Sequence, residues 1–152
     1  MRSEDVQDGP PTILLVEDNL SHAELVKRTL EAHQIVHRLY HVDDGEAALS
    51  YLFRQGVYTD PATSPRPQVV LLDLRLPKLS GMEVLKAIRA SQELHTMPVV
   101  VLTTSAAERD VVYAYEHHVN CYLVTPVDYT QCSQFMHDLG LYWLNWNYYP
   151  IL

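Results

Sequence analysis

Short apolar runs rich in β-branched residues recur along the chain at wide intervals. Four of them, residues 12–16, 68–72, 98–102 and 121–124, show no alternation of apolar and polar positions. That pattern is typical of strands that are buried on both faces of a parallel sheet. A fifth run, residues 36–42, alternates, and we therefore predict that it forms an edge strand.

Helical spacing of apolar residues fills the stretches between the runs. Asn19 can cap the first helix, Asp43 or Asp44 the second, and Ser80 with Glu83 three residues later forms a capping-box pattern for the third. The predicted helices end near residues 33, 54 and 90, and two more are expected over residues 106–118 and 128–143. Strands that alternate with helices indicate successive βαβ units.

The alternation predicts an α/β fold with a doubly wound, five-stranded parallel sheet. Right-handed crossovers would place helices on both faces, with strand order 2-1-3-4-5. We assign residues 12–144 to this domain and residues 145–152 to a C-terminal aromatic tail. Residues 1–11 are acidic and polar, so we expect a disordered lead and not a signal peptide.

Composition narrows the possible functions. A formal net charge of −8 argues against direct binding to nucleic acid or to an anionic membrane. No apolar run approaches the roughly 20 residues that a membrane helix needs. The two cysteines, Cys121 and Cys132, show neither metal-ligand spacing nor a disulfide framework, which favours a reducing cytoplasm.

Polar residues follow the predicted strands in a consistent way. The first strand leads into Glu17 and Asp18, the third into Asp73, and the fourth into Thr103 and Thr104. Because ligands bind beyond the carboxyl ends of the strands in such a sheet, three carboxylates would meet in one small space. Their mutual repulsion calls for a cation, and oxygen ligands favour Mg²⁺. The alternative is that these acids are solvated helix caps.

Four motifs together resemble the receiver-domain family of two-component signalling. They are LLVEDN (14–19), LLDLRLPKLSG (71–81), VLTTS (101–105) and CYLVTPVD (121–128), and the resemblance covers nearly all of residues 12–142. It implies the flavodoxin-like receiver fold. It also implies a single-domain response regulator that takes a phosphoryl group from a sensor histidine kinase, with no other enzymatic activity.

The resemblance assigns roles to the acidic residues. Asp73 would accept the phosphoryl group, and Asp18 and Asp73 would ligate Mg²⁺ directly. Glu17 would act on the metal through water, and the backbone carbonyl of Arg75 would complete the protein ligands.

The resemblance also assigns a phosphoryl hydrogen bond to Thr103 and the role of switch aromatic to Tyr122. One position departs from the family, because Thr125 stands where a lysine is expected. Threonine offers only a neutral hydrogen bond, so we expect weaker phosphoryl retention, weaker conformational coupling, or a substitute cation such as Lys78 or Arg109.

The end of the chain is unusually aromatic. Such apolar area either folds back on the domain or forms a dimer contact. The residues concerned are Tyr142, Trp143, Trp146, Tyr148 and Tyr149. The long loop at 55–66, the TTS at 103–105 and the tail are similar to phytochrome-associated response regulators. That similarity implies a phytochrome kinase and a homodimer through the helix-four and helix-five face.

Three other functions are alternatives to the receiver assignment. A haloacid-dehalogenase-type phosphatase needs a second aspartate two residues after the nucleophile, but the sequence is Asp73-Leu74-Arg75. A flavodoxin-like flavin carrier needs a phosphate loop where Glu17 and Asp18 would repel phosphate. A pseudo-receiver that signals without phosphate stays open because of Thr125.

Overall fold

One parallel sheet organises the computed structural model, which describes residues 10–32 and 37–124 together with Gln134 and Asp138. Its strand order is β2-β1-β3-β4-β5, as predicted. The strands are β1 (Thr12–Val16), β2 (Arg38–Val42), β3 (Val69–Leu72), β4 (Val99–Thr103) and β5 (Cys121–Val124). The helices are α1 (Leu20–Ala32), α2 (Gly45–Leu52), α3 (Gly81–Ala90) and α4 (Glu108–Glu116), with a short 3₁₀ helix at Gly56–Tyr58.

Two apolar layers form the core, one on each face of the sheet. Leu14 and Val16 of β1 pack with residues of α2, α3 and α4, whereas Ile13 and Leu15 pack with α1. Every residue of β1, β3 and β4 is buried, which confirms the prediction of central strands covered on both faces. This burial is the main stabilising contribution that fixes the ends of the central strands.

The two outer strands are less buried. Burial in β2 increases from exposed Arg38 to buried Val42, and the strand lies at an edge as predicted. The expectation that residues 121–124 would be buried on both faces was wrong. The residues of β5 are half-buried or exposed, because this strand forms the other edge of the sheet.

Side-chain caps begin three helices where the sequence predicted them. Asn19 Oδ1 accepts a hydrogen bond from the His22 amide at 3.1 Å, and Asp44 Oδ1 accepts from the Ala47 amide at 2.7 Å. Ser80 Oγ accepts from the Glu83 amide at 3.3 Å. Each oxygen satisfies a backbone N–H that the first helical turn leaves without a partner.

Two helices are shorter than predicted. Helix α2 ends at Leu52, and Arg54 beyond it adopts the left-handed φ of 56°. Helix α4 ends at Glu116, before His118 with φ of 57°. A left-handed residue ends the helical hydrogen-bond pattern, as it does at many helix C-termini.

Gln134 and Asp138 are helical, within the predicted span 128–143, and the rest of that span lies outside the described residues. So do residues 1–9 of the predicted lead. Among the residues that are described, no helix has the length and hydropathy to cross a membrane.

Candidate functional site

The register between β1 and β3 brings two acidic residues to one edge of the sheet. Val16 pairs with Leu72, so the next residues, Glu17 and Asp73, leave neighbouring strands side by side. The Asp73 amide donates to the Val16 carbonyl at 3.0 Å, which extends the ladder by one residue. The sheet itself therefore holds the backbones of both acids.

Glu17, Asp18 and Asp73 form one cluster, in which a carboxylate oxygen from each lies within 4.8 Å of the others. Glu17 is buried, Asp73 is half-buried and Asp18 is exposed. Burial, followed by a hydrogen bond and charge repulsion from Asp73, raises the pKa of Glu17 to about 8. A cluster that must hold a proton when no cation is present fits a divalent ion with oxygen ligands.

Two histidines hold Glu17 from opposite ends, and the sequence analysis did not anticipate either contact. His41 Nε2 on β2 donates to the Glu17 carbonyl oxygen at 2.7 Å. His22 Nδ1 on α1 lies 3.7 Å from Glu17 Oε1. The Asn19 amide also donates to Glu17 Oε2 at 3.2 Å. Contacts that orient a ligand in this way are common around metal sites.

Gly81 explains how α3 approaches the site so closely. A Cβ atom at this position would overlap the carbonyl oxygen of Asp73 and the Cα atom of Leu74. Only glycine allows the start of the helix to pack directly on the residue that carries the central carboxylate. The glycine in the motif at 71–81 is therefore required by the contact between α3 and the end of β3.

Thr103 lies at the end of β4, buried, and lines the same cavity as the three acids. Its Oγ1 accepts a hydrogen bond from the Ser105 amide at 3.4 Å. The Tyr122 hydroxyl donates to the Ser105 carbonyl oxygen at 2.7 Å, and burial is the main cause that raises the pKa of this phenol. Thr103 and Tyr122 are thus joined through one loop residue.

Ser105 also connects this loop to α4. Its hydroxyl donates to Asp110 Oδ2 at 2.6 Å, and its Oγ accepts from the Ala107 amide at 3.4 Å. Ala107, the N-cap residue of α4, has no side-chain cap of its own. Ser105 was not singled out from the sequence, because it lies three residues before the first residue of α4 and not at the N-cap position, where a capping serine is expected.

The positively charged residues considered in the sequence analysis lie in different places. Lys78 Nζ lies 3.6 Å from Asp44 Oδ2. Arg109 lines a groove beside the site and not the cavity of the acids. Arg75 lines both. Thr125 and the five aromatic residues at 142–149 lie outside the described residues, so their predicted roles stay predictions.

Comparisons with known proteins agree on one family. Residues 13–136 match the response regulator receiver domain. Response regulator Rcp1 of Synechocystis is 43% identical over 140 residues, covering 92% of this chain and 93% of Rcp1. The probable methanogenesis regulatory protein FilR2 of Methanothrix harundinacea is 43% identical over 144 residues, covering 94% of this chain and 90% of FilR2.

Solved structures give the same result. The Mn²⁺-bound form of Rcp1 has a TM-score of 0.86 at 42% identity, covering 93% of this chain and all of that one (100%). The phosphorylated cyanobacterial phytochrome response regulator RcpA has a TM-score of 0.87 at 37% identity, covering 93% of this chain and 99% of that one.

The chain belongs to the response regulator receiver family. Within it, the chain is similar to the phytochrome-associated response regulators, as the loop at 55–66, the TTS at 103–105 and the aromatic tail predicted.

Proposed function

We propose that this protein accepts a phosphoryl group from a histidine kinase onto Asp73. The observation that carries the proposal is the position of Asp73 at the edge of the sheet, within 4.8 Å of Glu17 and Asp18 and in one cavity with Thr103. A nucleophilic carboxylate beside two further acids and a hydroxyl group is suited to phosphoryl transfer that depends on a cation.

Asp18 and Asp73 would ligate Mg²⁺ directly, Glu17 would act through water, and the Arg75 carbonyl would complete the set. The bound ion would supply positive charge next to the transferred group. Mg²⁺ is favoured because every donor is an oxygen atom, the ligand type that this hard ion prefers.

In the reaction, a carboxylate oxygen of Asp73 attacks the phosphorus of a phosphohistidine. The new O–P bond forms as the N–P bond breaks, and its electron pair returns to the imidazole nitrogen. Thr103 would then donate its hydroxyl hydrogen to a phosphoryl oxygen. The loop through Ser105 would carry that change towards Tyr122 and α4, as a local charge biases a two-state element.

The donor is proposed to be a phytochrome-type histidine kinase, because the chain is 37% identical to RcpA, a phytochrome response regulator whose structure covers 93% of this chain. A net charge of −8 favours output through protein contacts and not through DNA or membrane. The half-buried free thiol of Cys121 is compatible with a cytoplasmic location.

The test is phosphorylation of the purified chain by acetyl phosphate with and without Mg²⁺, followed by mass spectrometry. We expect one added phosphoryl group that requires Mg²⁺ and is lost in Asp73→Asn. Transfer from a phosphorylated histidine kinase should show the same requirement. Unmodified wild-type protein in both assays would refute the proposal and favour the pseudo-receiver alternative.

Thr125 in place of the family lysine is proposed to weaken retention of the phosphoryl group. Thr125→Lys restores a positive charge at this position and should lengthen the lifetime of the phosphorylated state. Equal occupancy and equal lifetime in the two proteins would show that the position does not matter.

We also propose a homodimer through α4 and the tail at 142–149. On α4, Val112 and Tyr115 are three residues apart and so share a face, and they are 50% and 53% exposed. Analytical ultracentrifugation of Tyr115→Glu should show monomer at concentrations where the wild type is dimeric. Val57→Glu, at an 84% exposed site on the 3₁₀ helix, is the matched control and should not change the mass.

A further inference from the structure

The charges that line the cavity are unbalanced. Three carboxylates, those of Glu17, Asp18 and Asp73, face it. Among the lining residues that the structure describes, Arg75 is the only lysine or arginine. A phosphoryl group at Asp73 would add further negative charge. The guanidinium of Arg75 would attract that charge.

The Arg75 side chain is exposed and forms no hydrogen bond or ion pair with any described residue. This is notable because Asp18 and Asp110 line the neighbouring groove together with Arg75. Its positive charge acts on the Tyr122 phenol, where it opposes the effect of burial on the pKa of that group. The guanidinium therefore lines the cavity of Asp73 without a hydrogen bond or ion pair to any described residue.

The backbone fixes the base of this side chain close to the acceptor. The Arg75 amide donates a hydrogen bond to Asp73 Oδ1 at 3.4 Å, so the Arg75 main chain lies next to the acceptor carboxylate. A guanidinium is planar and always charged, and it presents paired N–H donors that match two oxygens of a phosphoryl group. An arginine two residues beyond the acceptor can thus bind the transferred group.

We propose that the Arg75 guanidinium binds the phosphoryl group on Asp73 and supplies positive charge that the described cavity otherwise lacks. The inference rests on the proposed function of Asp73. Arg75 would then have two separate roles, since its backbone carbonyl would ligate the cation and its side chain would bind the anion.

A variant that lacks the guanidinium should bind a phosphoryl analogue more weakly without binding Mg²⁺ more weakly. This difference distinguishes a role in anion binding from a structural role. Arg75→Gln keeps the backbone carbonyl and removes the positive charge. Affinity for a phosphoryl analogue should fall roughly five- to tenfold, the effect of one lost charge-assisted hydrogen bond at an exposed site. Affinity for Mg²⁺ should stay the same or rise, because a like charge near the ion is gone. If the substitution distorted the site, the affinities for Mg²⁺ and for the phosphoryl analogue would both fall.

The experiment is isothermal titration of the full chain, first with Mg²⁺ alone and then with beryllofluoride at saturating Mg²⁺. Arg75→Gln and Arg75→Lys are compared with Arg109→Gln. Arg109 also lacks a described partner but lines only the neighbouring groove, which makes it the matched control. Beryllofluoride affinity should fall in Arg75→Gln, recover in part in Arg75→Lys and stay at the wild-type level in Arg109→Gln.

Equal beryllofluoride affinity in Arg75→Gln and wild type would overturn the inference, and so would a parallel loss of Mg²⁺ and beryllofluoride binding. A wild type that binds Mg²⁺ but neither binds beryllofluoride nor is phosphorylated would instead refute the function of Asp73, and this inference with it.

Discussion

The Tyr122 hydroxyl donates a 2.7 Å hydrogen bond to the carbonyl oxygen of Ser105. The bond joins β5 to the loop that follows β4, two residues beyond Thr103. The charges of Asp73 and Arg75 act on this phenol and have opposite effects on its pKa. Tyr122, the predicted switch aromatic, is therefore bonded to the loop whose movement it is expected to follow.

Removing this hydroxyl should destabilise the protein measurably. Tyr122→Phe leaves the carbonyl of buried Ser105 without its donor, and we expect a loss of about 1 kcal/mol in the free energy of unfolding. Urea denaturation measures it. Tyr115→Phe, at a 53% exposed site, is the control and should stay within about 0.5 kcal/mol of wild type. Equal losses in the two variants would contradict a specific role for the bond.

The bond from Ser105 to Asp110 should stabilise the start of α4. Asp110→Ala removes the acceptor and a negative charge in the first helical turn, so we expect a loss of about 1–2 kcal/mol in the free energy of unfolding. Asp110→Asn keeps an oxygen acceptor and should lose about half as much. Thermal or urea unfolding gives the order of the three proteins, and identical stabilities would rule out this cap.

Stability of the metal-free protein should depend on pH through Glu17. The pKa of this carboxyl is raised from 4.5 to about 8, first by burial and then by the hydrogen bond and repulsion from Asp73. Between these values the folded chain holds a proton that the unfolded chain has released. The contribution of Glu17 is therefore complete below pH 4.5 and is lost as the pH rises through about 8.

Urea denaturation in EDTA at several pH values tests this dependence. Wild type should lose stability relative to Glu17→Gln as the pH rises through the window, and saturating Mg²⁺ should reduce the loss by replacing the proton. Parallel pH profiles of wild type and Glu17→Gln without metal would show that the carboxyl titrates normally.

His41 should position Glu17 without contacting the reacting atoms. Its Nε2 donates to the Glu17 carbonyl oxygen, and a glutamine can place an N–H in nearly the same position, whereas leucine cannot. We expect His41→Leu to bind Mg²⁺ roughly tenfold more weakly and His41→Gln to stay near the wild type. Isothermal titration calorimetry measures the Mg²⁺ affinity of the three proteins. An unchanged Mg²⁺ affinity in His41→Leu would exclude a positioning role for His41.

Much of this fold could be predicted from local pattern. Unbroken apolar runs give the strands, and Asn19, Asp44 and Ser80 begin helices where capping chemistry requires them. The acids after the first and third strands could be brought together as well, because parallel strands end at one edge of the sheet. These features depend on short stretches of chain or on a topological rule.

The contacts between distant segments could not be predicted in the same way. His41 reaches Glu17 across 24 positions, and Tyr122 reaches Ser105 across 17. The exposure of β5, and the lack of a partner for Arg75 among the described residues, depend on which surfaces the other elements cover. The sequence by itself determined the strand order, the helix starts and the identity of the clustered acids. Only the tertiary structure decided which side chains hold those acids and which charged side chain lacks a partner within the described part of the chain. Such contacts depend on packing between elements and leave no periodic pattern in the sequence.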